Sequence, residues 1–343
     1  MITRKIRVLV VDDSHVYREV ISKGISTNPY IEVVATAIDP FDARDKILKY
    51  NPDVMTCDIE MPKMNGIEFI KRLLPQYPLP VIIVSSVSEA VLDAINAGAV
   101  EFVSKPNMRV TKSVEEFLLE LISKIKIASE ARIIKGNNEQ RAVNQKETFV
   151  KSSERIIAIG SSTGGTEALS SLLKNLPQNV PGIVIVQHIP PEFSKMLANR
   201  FDQQTHFQVK EAVTGDIVEP GKVFIAPGDQ HIKIFKDGDV YKIKCFYGEK
   251  VNGHCPSVDV LFESVAKEAG NKAIGVILTG MGYDGAKGLL QMKRKGARTI
   301  GQNEASSVVY GMPKAAFNIG AVEKQGALEN IPGLIIQSLK QLG

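Results

Sequence analysis

The chain is poor in cysteine: Cys57, Cys245 and Cys255 are the only three in 343 residues. Their number is odd and no two form a CxxC pair. That excludes a disulfide scaffold and leaves no ready-made zinc site. The set suits a reducing compartment, so the expected location is the cytoplasm. Long apolar runs are also missing. No segment approaches the roughly 20 apolar residues that a membrane span needs. The first stretch, MITRKIRVLVVDD, meets acids after a few apolar residues, so it reads as neither a signal peptide nor a span. Direct membrane insertion is not expected. A strong excess of one charge is lacking too. The 42 Lys and Arg against 38 Asp and Glu leave a net charge of +4. An excess so small and diffuse does not call for nucleic acid as a partner.

What is there is enough chain for about two domains of roughly 150 residues each. In the first ~125 residues, apolar stretches at 6–11, 32–37, 54–57, 81–85 and 101–104 alternate with amphipathic segments. That alternation predicts a parallel sheet covered by helices. From about 126 to 153 large apolar residues thin out and the chain reads as a linker. A second α/β pattern begins at Arg155. Its expected strands are 156–159, 182–187, 223–225, 232–235, 241–245, 273–278 and 298–300. Helical patterns fall at 166–174, 191–201, 258–269 and 284–293. FKDGDVYK carries the Asp237-Gly238 turn signal of an antiparallel hairpin.

In the first region Asp12 and Asp13 end the first strand and Asp58 follows the third. Ser85 ends the fourth, and Lys105-Pro106 follows the fifth. Parallel strands bring these positions to one sheet edge. Converging carboxylates need a cation, and hard oxygen ligands favour Mg²⁺.

In the second region the stretch RIIAIGSSTGGTEAL runs from a strand through a glycine-rich turn into a helix. Gly160-Ser161-Ser162-Thr163-Gly164 fits G-x-S-x-G with Ser162 at the centre. The pattern alone leaves a phosphate loop, a structural turn and a nucleophile open, though Gly164-Gly165 lacks the lysine of a Walker loop. A nucleophile needs a base and the base an orienting group. Of the five histidines, His188 alone directly ends a buried-looking strand, GIVIVQH. His15 lies in the first region, His206 near a polar helix end, and His231 opens a hairpin strand. His254 lies in a loop and reads as solvated. Asp284, after a further strand, is expected to cap the helix that begins there.

The first region resembles the receiver domain of two-component response regulators. That resemblance covers about residues 4–125 and rests on Asp12, Asp13, Asp58, Ser85 and Lys105. It implies a five-stranded, flavodoxin-like sheet of order 2-1-3-4-5. Asp58 would accept a phosphoryl group, and Asp12 and Asp13 would hold Mg²⁺ with it. Ser85 and Lys105 would sense the phosphoryl oxygens, with Phe102 as the aromatic switch residue. GSSTGGTEAL, QHIPPEF, IAPGD, PSVDVLFESVA, ILTGMGYDG and GQNEASSVVYGMP resemble the catalytic domain of the chemotaxis protein-glutamate methylesterase (CheB) family. Residues 4–125, 126–153 and 154–343 then correspond to receiver, linker and a Rossmann-like, doubly wound esterase domain. This resemblance implies a Ser162–His188–Asp284 triad, with the backbone N–H groups of Met281 and Thr163 as the oxyanion hole. Methylated chemoreceptors would be the substrate and the histidine kinase CheA the phosphodonor. No cofactor is expected for ester hydrolysis itself. Deamidation of receptor glutamines would use the same groups. Competing outputs for such a receiver are a DNA-binding module and a nucleotide-binding domain. The output region has no clustered Lys/Arg helix to support the first.

Overall fold

Runs such as IRVLVV and VIIVS offer no polar face to water, so they belong in a sheet covered on both sides. The computed structural model of the chain describes residues 4–86, 88–131 and 154–342. The chain divides into two units between residues 136 and 137. The first holds strands β1 (Ile6–Val11), β2 (Ile31–Ala37), β3 (Val54–Cys57), β4 (Val81–Ser85) and β5 (Glu101–Ser104). Its helices are α1 (His15–Ser26), α2 (Pro40–Tyr50), α3 (Gly66–Leu73), α4 (Ser88–Asn96) and α5 (Thr111–Ser129). The sheet order is β2-β1-β3-β4-β5, all parallel, as expected. Every residue of β3 and β4 is buried. Helix α5 runs past 125 to Ser129, so the expected linker 126–153 begins inside a helix; residues 132–153 lie outside the described residues.

The second unit contains two sheets. Its strands are β6 (Ile156–Ser161), β7 (Gly182–Gln187), β8 (Gln208–Glu211), β9 (Ile217–Val218) and β10 (Lys222–Ile225). They continue with β11 (His231–Asp237), β12 (Val240–Phe246), β13 (Ala273–Ile277), β14 (Arg298–Gln302) and β15 (Lys324–Gly326). Seven form a parallel sheet, β15-β14-β13-β6-β7-β10-β8. From β6 the chain builds outward through β7, then returns to β13 and builds the other way. The reversal between β6 and β13 is a topological switch point, where the carboxyl ends of strands leave a crevice. The expected hairpin is β11–β12, joined by β9 in a small antiparallel sheet.

The helices are α6 (Gly165–Asn175), α7 (Pro191–Gln204), α8 (Val258–Glu268), α9 (Ala286–Arg294), α10 (Met312–Asn318) and α11 (Ile331–Gln341). Helix α8 links the two sheets: Leu261, Phe262 and Val265 share one core with Val184 and Ile277 of the large sheet and Ile232, Ile234 and Ile243 of the small one. The Ile234 N–H also donates to Ser264 Oγ at 3.0 Å.

Candidate functional site

Strand β6 ends on Ser161, and the neighbouring serines separate there. Ser161 is fully buried and its Oγ donates to Gln187 Oε1 at 2.7 Å. Ser162 turns out of the sheet, half-buried, and its Oγ has no hydrogen-bond partner among the described residues. Its backbone is held on three sides. The Ser162 N–H donates to the Thr279 carbonyl at 3.0 Å, and its own carbonyl accepts from Gly165 at 2.7 Å. That carbonyl also accepts from Gln187 Nε2 at 2.9 Å, and the same amide group donates to the His188 carbonyl at 3.1 Å. Gly280 must lack a side chain for this turn to close. A Cβ there would lie 2.7 Å from Ser162 Cβ and 2.5 Å from Met312 Sδ. The N–H groups of Thr163 and Met281 make no hydrogen bond among the described residues.

His188 follows β7, and its own N–H donates to the Ser161 carbonyl at 3.1 Å. The imidazole meets Asp284 through Nε2, 2.9 Å from Oδ2, while Nδ1 is buried without a partner. Asp284 does not cap the helix that follows it, contrary to the sequence expectation. The N-cap of α9 is Gly285, whose φ of 89° turns the chain. The Asp284 carboxylate instead lies across the start of α8. Oδ2 accepts from the Val258 N–H at 2.7 Å; Oδ1 accepts from Ser257 Oγ at 2.7 Å, Asn252 Nδ2 at 2.8 Å and the Asp259 N–H at 3.2 Å. A helix N-terminus favours a negative charge there. Burial pushes the carboxyl pKa up, but the donors from His188, Asn252 and Ser257 outweigh it and hold Asp284 well below the ordinary carboxylate value. Asp284 is therefore an acceptor, so Nε2 of His188 is the donor of this bond, and in the neutral ring the lone pair falls on Nδ1.

Two further groups complete the arrangement: Asn252, which the sequence did not single out, and His254. Asn252 bridges Asp284 Oδ1 and Asp259 Oδ2, each at 2.8 Å. His254, read from sequence as a solvated loop residue, is half-buried and stacks on His188, with ring centroids 3.7 Å apart and planes 9° from parallel. Burial first, and then the neighbouring His188, push its pKa down to about 4. The sign of the effect on stability follows. Unfolded histidine titrates near 6.5, so at pH values between about 4 and 6.5 the unfolded chain binds the extra proton. Stability is intact above about pH 6.5 and falls as pH drops toward 4. Calorimetry at pH 7 and pH 5 should therefore show a smaller drop in Tm for His254→Phe than for wild type. Equal drops contradict the neutral, buried state of this ring.

The remaining histidines do other work. His231 is buried, with Nε2 2.8 Å from the Glu249 carbonyl and Nδ1 accepting from the Ser257 N–H at 3.2 Å. It fixes the loop ahead of α8.

In the first unit the expected residues also converge. One oxygen each of Asp12, Asp13 and Asp58 lie within 4.8 Å of one another. Asp12 and Asp58 are buried and Asp13 is exposed. Lys105 Nζ lies 2.6 Å from Asp58 Oδ2 and 2.9 Å from Asp12 Oδ2, over the Tyr17 ring at 4.5 Å. Burial opposes the lysine charge, but the bonds to Asp58 and Asp12 prevail and raise its pKa. Burial raises the pKa of Asp12 despite Lys105. Three acids with one ammonium leave excess negative charge, and a hard divalent cation fits that donor set. Ser85 is buried at the end of β4, and its carbonyl accepts from the Lys105 N–H at 3.0 Å. Phe102 is buried in β5, with Lys124 Nζ 4.9 Å from its ring centre.

A parallel sheet with an acidic crest, followed by a doubly wound sheet with a hydrogen-bonded His188–Asp284 pair and a serine-bearing glycine turn at its switch point, defines a receiver joined to an α/β output domain. Residues 8–114 match the response regulator receiver domain and residues 157–335 match the CheB methylesterase. The chain is 53% identical over 339 residues to a protein-glutamate methylesterase/protein-glutamine glutaminase 2 of Syntrophomonas wolfei, covering 99% of each. A protein-glutamate methylesterase/protein-glutamine glutaminase of Syntrophotalea carbinolica is 47% identical, over 98% of this chain and 99% of that one. The crystal structure of the Thermotoga maritima CheB methylesterase catalytic domain superposes with a TM-score of 0.52 at 38% identity, covering 56% of this chain and all of that one. The chain belongs to the CheB methylesterase family and is a carboxylic ester hydrolase. Among the described residues no helix is long and apolar enough to cross a membrane.

Proposed function

We propose that the second unit removes methyl groups from glutamate γ-methyl esters of chemoreceptors, and that phosphorylation of Asp58 in the first unit activates it. The observation that carries the esterase reading is the His188–Asp284 contact, made through Nε2 at 2.9 Å while Nδ1 stays buried and unpartnered. That is the state of a general base awaiting a proton.

The chemistry then runs as follows. Ser162 Oγ attacks the ester carbonyl carbon and its proton passes to Nδ1 of His188. The ring becomes imidazolium, its charge held against Asp284. The N–H groups of Thr163 and Met281 receive the oxyanion; one such donor contributes about 3–4 kcal/mol to the transition state. As the C–O bond to the methoxy group breaks, Nδ1–H protonates it and methanol leaves. Water then attacks the acyl-serine, giving its proton to Nδ1, and the proton returns to Ser162 as the glutamate is released. With a glutamine amide the same steps release ammonia, a reading favoured by the glutaminase activity in the names of the relatives.

In the first unit, Asp12, Asp13 and Asp58 would hold Mg²⁺, which would neutralise charge on an incoming phosphoryl group. The donor would be a histidine kinase of the CheA type. Lys105 would leave the Asp12–Asp58 pair to bind phosphoryl oxygens, joined by the Ser85 hydroxyl, with Phe102 following as the aromatic switch. A hundredfold activation requires only about 2.7 kcal/mol of difference between two states.

The test is methanol release from methylated receptor by the full chain, with and without a small phosphodonor. Wild type is expected to release methanol faster with the donor. Asp58→Asn should take up no phosphoryl label and show no gain. Label or activation persisting in that variant removes Asp58 from the scheme.

A further inference from the structure

The loop between β12 and α8 contains a two-residue hairpin that reaches both partners of the His188–Asp284 pair. Val251 and His254 exchange N–H···O bonds, both at 3.0 Å. The central residues, Asn252 and Gly253, have φ of 54° and 85°. Positive φ at both is the signature of a type I′ turn, for which Asn-Gly is the preferred sequence. The turn is therefore locally determined, and its two side chains leave it in fixed directions. Asn252 Nδ2 lies 2.8 Å from both Asp284 Oδ1 and Asp259 Oδ2. His254 lies flat on His188 at 3.7 Å.

We propose that this turn positions the catalytic pair: His254 is a π-platform for the His188 ring, and Asn252 is the amide that fixes the Asp284 carboxylate. Both parts have a physical cause. The His188 ring is held at one edge by a single hydrogen bond, which leaves rotation about that bond free; a parallel ring removes the freedom and keeps Nδ1 aimed. When His188 becomes imidazolium, a neutral aromatic face attracts the new charge. The depressed pKa of His254 keeps it neutral for that purpose near pH 7. Asn252 separates two buried carboxylates that would otherwise repel. Asp259 has its other oxygen on the Gly288 N–H at 2.6 Å, so the amide anchors Asp284 to a fixed point on the α8–α9 junction. Neither side chain is placed against a reacting atom, so both are positioning residues.

The inference rests on His188 and Asp284 acting as base and orienting acid, and the experiment separates the two ideas. Methanol release by the full chain is measured at saturating and limiting substrate. His254→Ala is expected to lower kcat about tenfold, with KM within about twofold. His254→Phe restores a flat ring and should return to within about threefold of wild type. His254→Leu matches the bulk but not the plane, and should stay with Ala. Asn252→Gly keeps a turn of positive φ and removes the amide; a loss of about tenfold is expected, again in kcat. The double variant Asn252→Gly/His254→Ala should lose less than the product of the two, because both act on one pair. Leu performing as well as Phe, an Ala variant within about twofold of wild type, or losses confined to KM overturn the proposal. Full turnover by His188→Ala defeats the reading beneath it; an inactive His188→Ala beside an unaffected His254 series defeats the proposal alone.

Discussion

Ser162→Ala is expected to cut methanol release by about 10⁶, to the level that binding and oxyanion donors supply alone. No neighbour can take over. Ser161 is next in sequence, but its hydroxyl is 0% exposed and committed to Gln187 at 2.7 Å. Its loss should act differently. Ser161→Ala leaves Gln187 Oε1 buried without its donor, a stability cost of about 1–3 kcal/mol, with the nucleophile still present. The two serines thus predict opposite phenotypes, one inactive and stable, the other active and less stable. Methanol release paired with thermal unfolding for both variants distinguishes them. Turnover of Ser162→Ala above about a hundredth of wild type contradicts the assignment.

Asp284→Asn is expected to lower kcat by about 10⁴, by analogy with the serine-protease template. The carboxylate accepts on both oxygens, from His188 and Val258 on one and from Ser257, Asn252 and Asp259 on the other. An amide must turn its NH₂ toward one of these donor sets. Facing His188, it would force the ring to accept at Nε2 and carry its proton on Nδ1, so the base would be blocked. Facing the other set, it opposes three donors at the start of α8. The expected signature is a large fall in kcat together with reduced stability. A variant within about tenfold of wild-type turnover would show that the ring finds its tautomer without the acid.

Residues that end apolar strands were readable in advance, because strand periodicity fixes where a chain leaves a parallel sheet. Asp12, Asp58 and His188 were placed that way, whereas Ser162 came from the register of G-x-S-x-G and the order of the first sheet from the resemblance to receiver domains. The polar strands were not: β8 (QVKE) and β15 (KQG) lie at the two edges of the seven-stranded sheet, where burial imposes no apolar run. Asp284 was located but given the wrong cap, since its contacts with the start of α8 are 25 and 26 residues away in sequence. Gln187 and Asn252 were overlooked, and His254 was read as solvated, for the same reason. Each looks like an ordinary polar residue until the residues it touches are known. The Asn-Gly pair at 252–253 was the one local signal, a hairpin turn in a segment read only as loop.

The placement of Ser162 and His188 directly after the neighbouring strands β6 and β7, with Asp284 six residues beyond Leu278 on the other side, has a mechanical consequence. The proposed nucleophile and base inherit their separation from the pitch of a parallel sheet, about 4.8 Å per strand. That ruler is clamped by the stiffest part of the molecule, where every residue of β6, β7 and β13 is buried. Loop motion can blur the oxyanion donor proposed on Met281 or tilt the imidazole, but it cannot stretch the distance between the two strands. Warming or mild denaturant should therefore erode catalytic rate gradually through the loops, and abolish it only when the sheet itself melts.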